Sequence, residues 1–287
     1  EWYVVETHSE EDEGVGLGRI GIGILNQERQ PICSEDRNLM VFLSGELYNT
    51  AQLCRDLKAK GHHFRDEGDL ELVLRVYQEK GNRFIHELEG VFVLVIWDRT
   101  RQELIIANDR FGLYPLFYAH RDGKLVFAPE MKGILCDDAF PRKLDLTALA
   151  QYVRFQHLLG ERSFFEDIQL LPNASFLVYD LSTDSCTVRP YWTFADIAYH
   201  PEVSFGEAVE EAGRLLRRAV LRLSSDTYRP GVYLSGGLDS RTLLGMIERR
   251  PVISLTYGTQ DCRDVYYARR ISRAVGGEHH WFDLPDG

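Results

Sequence analysis

A glycine-rich stretch in the C-terminal third of the chain has the composition of a phosphate-binding loop. It consists of Leu234, Ser235, Gly236, Gly237, Leu238, Asp239 and Ser240. Adjacent glycines allow the backbone to turn tightly and to present its N–H groups to an anion. The two serines add hydroxyl donors, and a helix that begins near Asp239 would point its positive end at the same place. Because Asp239 alone would repel phosphate, we expect it to hold a Mg²⁺ ion that bridges the phosphate oxygens.

The segments around this loop are those that can position it. The apolar pattern predicts strands over 231–234 and 252–257, helices over 240–248 and 264–275, and a third strand over 279–282. Ser204 and Glu207 have the spacing of a capping box, which predicts the start of a helix that continues to about 223. The β-α-β-α order predicts a parallel, doubly wound sheet. Since open sheets usually have about four or more strands, we expect this domain to be incomplete.

The first two thirds of the chain have a different pattern. Short strands alternate with turn signals such as Asp122-Gly123, and helical periodicity is found at 50–60, 70–80 and 146–153, the last with Asp145 as N-cap. The predicted strands are 18–25, 39–43, 91–97, 103–107, 125–128 and 175–179. Strands with layered helices predict a two-layer or four-layer α+β domain, joined to the next domain by a linker at 191–201.

Composition excludes several classes of protein. Of the 287 residues, 44% are hydrophobic and 27% charged, which is typical of a globular chain. The net charge of −11 argues against nucleic acid and anionic membranes as partners, and the longest apolar run, 91–97, is too short to span a bilayer. Five scattered cysteines without a CxxC pair indicate reduced thiols in a cytoplasmic protein. No signal peptide is recognised, and the first residue, Glu1, indicates a processed or trimmed chain.

The stretch 234–240 resembles the pyrophosphate-binding loop of the N-type ATP pyrophosphatases, which include asparagine, GMP and NAD synthetases. Five preceding stretches resemble, in order and spacing, the class II glutamine amidotransferase domain of asparagine synthetase: 43–49, 67–69, 88–92, 108–118 and 127–132. The resemblance extends over about 18–282, and the chain is identified as a member of the asparagine synthetase family. It implies a four-layer αββα domain similar to the Ntn hydrolases over 1–195. An ATP pyrophosphatase domain would begin at 196 and occupy 196–287.

The resemblance also implies a glutamine-binding site in the first domain. Arg19 matches the arginine that binds the α-carboxylate of glutamine, and Asp69 matches the carboxylate that pairs with its α-ammonium group. Gly45 and Glu46 match backbone and side-chain contacts to the same substrate. One fixed cation and one fixed anion are what a zwitterionic amino acid requires, and arginine offers bidentate geometry.

Two departures from the family concern glutamine hydrolysis. The family nucleophile is an N-terminal cysteine whose own α-amine is the base. This chain instead begins with Glu1, and its first cysteine is Cys33. The segment before Arg19 is also shorter than that of the family by about thirty residues. Ser44 stands at the position of the oxyanion-hole asparagine, and losing one such donor typically reduces the rate by about 10²–10³. The chain as given is therefore expected not to hydrolyse glutamine by the family mechanism.

In the second domain the resemblance implies ATP and Mg²⁺ as cofactors. Residues 234–240 would bind pyrophosphate, Asp239 would hold the metal, and Tyr257 and Gly258 match the strand end where the family's backbone meets adenine. A second acidic metal ligand and a catalytic lysine of the family would lie beyond residue 287.

Two neighbouring features have simpler interpretations. Asp264 has the position of an N-cap for the helix predicted at 264–275, an interpretation that we favour over a role in binding. The pair His279-His280 resembles a histidine pair of the family, and we interpret it as structural because no third metal ligand is in view.

Three functions stay open, in this order of preference. The first is an AMP-forming ligase that adenylates a small-molecule carboxylate and makes an amide, with glutamine as nitrogen donor where an N-terminal cysteine exists. The second is a relative without glutaminase activity, like the β-lactam synthetases and lasso-peptide cyclases, which close an amide within one substrate; Ser44 favours it. The third is a non-catalytic nucleotide-binding homologue. We expect no nucleic-acid or membrane partner, and the oligomeric state is open, a homodimer included.

Overall fold

The computed structural model describes residues 4–10, 14–225 and 228–284. The chain forms two compact units, Glu1–Ile197 (unit 1) and Ala198–Gly287 (unit 2), and the division falls within the linker predicted at 191–201. Among the described residues, no helix combines the length and apolarity that crossing a bilayer requires.

Unit 1 contains eleven strands and four α-helices within its described residues. In chain order they are β1 (Val4–Glu10), β2 (Val15–Gly21), β3 (Ile32–Cys33), β4 (Leu39–Leu47), α1 (Thr50–Ala59), α2 (Asp69–Lys80), β5 (Gly90–Asp98), β6 (Glu103–Asn108), β7 (Phe117–Arg121), β8 (Lys124–Ala128), α3 (Met131–Ile134), α4 (Leu146–Phe155), β9 (Gln169–Leu170), β10 (Ser175–Asp180) and β11 (Ser185–Pro190).

A six-stranded antiparallel sheet is the centre of unit 1. Its strand order is β11-β10-β6-β5-β4-β3. Strands β4 and β5 are almost continuously apolar because both faces of the sheet are covered. On one face, α1 and α2 bury a cluster that includes Leu57, Leu70, Val73, Leu74 and Tyr77. The spacing of these residues is the helical stripe that the sequence predicts.

The opposite face of the sheet packs on a second layer of strands. This layer contains the β1–β2 hairpin and a small sheet of order β8-β7-β9, and the shared cluster includes Leu17, Phe42 and Trp97. The short helix α3 packs on the far side of β7 and β8 through Ile134. The resulting order of helix, sheet, sheet and helix agrees with the four-layer arrangement expected for this part of the chain.

Unit 2 is a parallel sheet with its helices on one face. Its elements are α5 (Phe205–Leu223), β12 (Gly231–Tyr233), α6 (Leu238–Met246), β13 (Ile253–Tyr257), α7 (Arg263–Ala274) and β14 (Glu278–Phe282). The strand order β12-β13-β14 follows the chain, and both strand pairs are parallel as predicted.

The doubly wound arrangement predicted for this sheet is not found in the part of unit 2 that the structure describes. All three helices contribute to one cluster on one sheet face, including Val220 of α5, Leu244 of α6 and Ala268 of α7. Since right-handed crossovers that advance in one direction place their helices on the same side, this strand order accounts for the arrangement. That the sheet is incomplete stays a prediction.

Candidate functional site

The glycine-rich loop (residues 234–240) lies between a parallel strand and a helix. Leu234 follows β12 directly and is 1% exposed, which fixes the entry to the loop. Helix α6 begins at Leu238 with Gly237 as N-cap, two residues earlier than the sequence predicts. The backbone N–H groups of the loop therefore lie at the positive end of a helix and at the carboxyl edge of a parallel sheet, where such sheets bind ligands.

Two backbone donors of this loop are bonded to serine hydroxyls. Ser235 N donates to Ser240 Oγ at 3.2 Å, and Gly237 N donates to Ser235 Oγ at 3.2 Å. The two hydroxyl oxygens are 3.0 Å apart. The hydroxyls predicted as donors to phosphate thus also act as acceptors that hold the loop in shape.

A third backbone N–H group of the loop is bonded to a carboxylate from another helix. Gly236 N donates to Asp264 Oδ1 at 3.0 Å. The prediction that Asp264 is an N-cap is wrong: Cys262 occupies the N-cap position of α7, and Asp264 lies in the first turn. Its side chain reaches across to the loop because the first turns of α6 and α7 lie at the same edge of the sheet.

Asp239, the predicted metal ligand, lies in the first turn of α6 and is exposed to solvent. This position leaves its carboxylate accessible to a cation at the mouth of the loop. A role in binding Mg²⁺ stays a prediction.

An exposed row of aromatic rings follows the ends of the three parallel strands. Tyr233 stacks on Tyr257 with a centroid distance of 6.1 Å, and Tyr257 stacks on Phe282 at 5.2 Å. The carbonyl of Gly258 accepts a hydrogen bond from the indole of Trp281 at 2.8 Å. Tyr257 and Gly258, the residues predicted to meet adenine, therefore lie at the strand ends beside exposed aromatic rings.

The histidine pair has separate structural contacts. His279 Nδ1 lies 3.1 Å from Ser254 Oγ, and burial lowers the pKa of its imidazole. His280 contacts Glu278 at 2.8 Å. Because neighbouring residues of a strand point to opposite faces, the two imidazoles diverge, in agreement with the structural interpretation.

In unit 1, Arg19 is held by an ion pair within the β1–β2 hairpin. Glu6 lies directly opposite Arg19, and its Oε2 accepts from Arg19 Nη1 at 2.8 Å. Both side chains are nearly buried, with 10% and 8% exposed. The other oxygen of Glu6 accepts from Gln30 N at 2.6 Å, and Arg19 Nε is buried without a hydrogen-bond partner among the described residues. This Nε–H group is closed off from solvent, so a ligand would have to be met by the terminal N–H groups of the guanidinium.

A cavity of 630 Å³ connects Arg19 with the predicted oxyanion position. It lies between the β1–β2 hairpin, the central sheet and β8, and its lining includes Val5, Arg19, Ser44, Tyr114 and Phe127. Asp69 lies outside this lining, so the cavity unites only part of the predicted glutamine site.

Gly45 and Glu46 follow Ser44 on β4, and Gly45 has a conformation that requires glycine. Its φ is +110°, and a Cβ there would lie 2.0 Å from the carbonyl oxygen of Val91. The Gly45 carbonyl accepts from Asn26 Nδ2 at 2.7 Å. The backbone at the predicted substrate contact is therefore fixed by the neighbouring strand.

Asp69 is anchored at the start of α2. It accepts hydrogen bonds from Leu47 N at 2.8 Å and from Thr50 Oγ1 at 2.5 Å. Burial raises the pKa of this carboxyl above its usual range, although both hydrogen bonds act in the opposite direction. Asp69 is thus a fixed carboxylate, as the binding of an α-ammonium group would require.

A second carboxylate, Glu28, was not predicted; its Oε1 lies 3.0 Å from the Cβ position of Gly68, the residue before Asp69. Burial raises its pKa, the charges of Asp66 and Asp69 add to that effect, and Arg19 lowers it. Its Oε1 is buried without a hydrogen-bond partner among the described residues. No local pattern in the sequence marks Glu28, because its position depends on contacts distant in the chain.

Comparisons with known proteins cover both units. Residues 6–192 match the family model described as glutamine amidotransferase domain, and residues 211–286 match the one described as asparagine synthase. The chain is 30% identical to asparagine synthetase [glutamine-hydrolyzing] 2 of Bacillus subtilis, over 95% of this chain and 38% of that protein. It is 31% identical to the amidase chyE of Penicillium rubens, over 81% of this chain and 34% of that protein. The chain thus spans well under half the length of these relatives.

Proposed function

We infer the function from one premise: the chain belongs to the glutamine-hydrolysing asparagine synthetase family. We propose that it carries the nucleotide-binding loop of an ATP-dependent carbon–nitrogen ligase that activates a small-molecule carboxylate. In this proposal 1–195 form a type-2 glutamine amidotransferase-like domain, and 196–287 belong to the ATP pyrophosphatase domain.

The glycine-rich loop carries this proposal. Gly236 N already donates to a carboxylate oxygen at 3.0 Å, so the loop accommodates an anionic oxygen at hydrogen-bond distance. The hydroxyls of Ser235 and Ser240 face each other at 3.0 Å and can turn towards a ligand. The donor set of the loop therefore fits a phosphate group.

Bound ATP would supply an adenylyl group to the substrate carboxylate and release pyrophosphate. The loop's N–H groups and hydroxyls would hold the pyrophosphate oxygens, and Asp239 would hold Mg²⁺. Tyr257 and Gly258 would contact the adenine at the strand ends. By fixing the leaving group before reaction, the loop would stabilise negative charge that develops on it.

Nucleotide binding tests the proposal directly. Titration of ATP with Mg²⁺ into the purified chain should show binding, and Asp239→Ala should weaken it by about tenfold or more through loss of the metal ligand. Asp261→Ala is the matched control, since it removes an equally exposed carboxylate outside the loop. Equal binding by wild type and Asp239→Ala would contradict the metal assignment. Binding without pyrophosphate release, with substrate carboxylates supplied, would favour a non-catalytic homologue.

A second candidate keeps the ligase and lacks the glutaminase. It is supported by Ser44 at the oxyanion position, by the pairing of Arg19 with Glu6, and by the additional carboxylate of Glu28. Each of these weakens the binding or hydrolysis of a zwitterionic amide substrate. Titration with glutamine separates the candidates, because binding supports the first and its absence supports the second.

A further inference from the structure

We propose that the Asp264 carboxylate occupies the anion-binding position of the glycine-rich loop in the free protein and must leave before a nucleotide phosphate enters. This regulation rests on the function proposed for residues 234–240. The carboxylate lies directly against the loop: Oδ1 accepts from Gly236 N at 3.0 Å, and a Cβ at Gly236 would lie 2.7 Å from the same atom.

The backbone donors of Ser235, Gly236 and Gly237 are satisfied in two different ways. Those of Ser235 and Gly237 are bonded to serine hydroxyls, and a hydroxyl can accept from the backbone while donating to a phosphate. The donor of Gly236 is bonded to an ionised group, which has no proton to give and repels another anion. Only Asp264 therefore has to be displaced.

The position of Asp264 limits how this displacement can occur. Helix α7 is fixed on the sheet by Val265 and Ala268, which are fully buried neighbours of Asp264. The ring of Tyr267 lies 3.4 Å from the Cβ position of Gly236 and closes the loop on that side. Because the helix backbone is held by this packing, the carboxylate leaves by side-chain rotation into solvent, where it is already exposed.

Competition with inorganic pyrophosphate measures the effect of this carboxylate. Pyrophosphate is titrated calorimetrically, without Mg²⁺ and at low salt, into wild type, Asp264→Asn and Asp264→Ala. We expect both variants to bind about fivefold more tightly, since each removes a unit charge next to the ligand at a solvent-exposed site. High salt should reduce the difference.

Asp261→Asn is the matched control, because it removes the same charge three positions earlier, at an exposed residue outside the loop. It should change pyrophosphate binding little. Thermal unfolding of each protein tests whether the two substitutions at Asp264 leave the fold intact; if one variant is unfolded, the other supplies the comparison.

The possible outcomes separate this proposal from the function on which it rests. Tighter binding by the Asp264 variants than by Asp261→Asn supports the displacement. If wild type binds pyrophosphate and the Asp264 variants bind it equally or more weakly, the displacement is overturned and the proposed nucleotide site is retained. Absence of pyrophosphate binding in all four proteins, with Mg²⁺ as well as without it, overturns both.

Discussion

The two candidate sites differ in how their polar groups are held. In the glycine-rich loop, hydroxyls and one exposed carboxylate hold the backbone donors of Ser235, Gly236 and Gly237, and side-chain rotation can release these three. In the amidotransferase-like site, Arg19 and Glu6 form a nearly buried ion pair, and the backbone of Gly45 is confined by an adjacent strand. The donors of the first site can exchange their internal partners for a ligand, whereas the ion pair and the confined backbone of the second site hold their internal partners in place.

The two sites also differ in whether their carboxylates can move away from the place where a ligand would bind. One carboxylate stands where an anion would bind in the loop, and it can move away. In unit 1, Arg19 is paired with Glu6, and Glu28 feels the charges of both Arg19 and Asp69. A motif that matches a family therefore says little about ligand affinity until the neighbours of its residues are known.

The largest expected effect concerns the confinement of Gly45. Gly45→Ala should destabilise unit 1 by at least about 3 kcal/mol, because φ is +110° and the added Cβ would meet the Val91 carbonyl at 2.0 Å. Urea denaturation followed by fluorescence of the buried Trp97 measures this change.

Gly236→Ala is the control for that variant. Its Cβ would meet the Asp264 side chain, which can rotate into solvent, so the free energy of unfolding should change by about 1 kcal/mol or less. Similar destabilisation by the two substitutions would contradict the distinction between a rigid and an adaptable site.

An intermediate effect is expected for the charge of Glu28. Glu28→Gln should strengthen glutamine binding by about tenfold, because it removes a negative charge that opposes the α-carboxylate near Arg19. Calorimetric titration with glutamine measures the change. Glu35→Gln, an exposed residue whose partner is Arg75 at 3.6 Å, is the matched control. If both variants bind glutamine like wild type, Glu28 does not determine what this site accepts.

The smallest expected effect is a pH-dependent gain in the free energy of unfolding from Glu28→Gln. The pKa of Glu28 is raised from 4.5, so the folded protein binds this proton more tightly than the unfolded chain does. At a pH above the pKa of Glu28 in the folded protein, the ionised carboxylate lowers the free energy of unfolding. This penalty disappears as the pH falls from the raised pKa of the folded protein to 4.5, the pKa in the unfolded chain.

Glu28→Gln should accordingly be more stable than wild type at pH 7, by about 1 kcal/mol or less because the site is partly solvated. Thermal unfolding from pH 7 to pH 4 follows the difference, which should vanish at the acidic end. A constant gain over this range would show that packing, not charge, is responsible.

Features set by neighbours in the chain could be predicted from the sequence. Asp145 accepts from the N–H groups of Thr147 and Ala148, and Ser204 and Glu207 form the predicted capping box. These contacts span three residues or fewer, so the local pattern contains them.

Contacts between distant segments could not be predicted in this way. Asp264 has the sequence context of a cap, yet its carboxylate bonds to a residue 28 positions away. Glu6 meets Arg19 only through the register of a hairpin whose first strand the sequence pattern did not reveal. In both cases pairing of elements, rather than residue type, decides the partner.

The stretch from Phe111 to Tyr118, part of a motif that resembles the amidotransferase domain, also shows that residue type alone does not determine burial. Leu116 and Tyr118 are buried, as apolar side chains of a strand and its approach are expected to be. Phe111 and Leu113 are instead exposed, by 56% and 61%. Asp109 explains the difference, because its carboxylate accepts from the N–H groups of both residues and turns the backbone there without help from their side chains.

The strand order of the central sheet has a consequence for folding speed. Strands β5 and β6 are joined by a short turn, whereas β4 pairs with β5 across the segment that contains α1 and α2, and β10 pairs with β6, placing Phe176 opposite Ala107. Pairing across about 70 residues requires closing a long loop, which slows the step. We therefore expect the β5–β6 hairpin to form early, and the β10–β11 hairpin to dock on β6 late. Asn108, which accepts from Ser175 N at 3.0 Å, then becomes a reporter of the last stage of folding in unit 1.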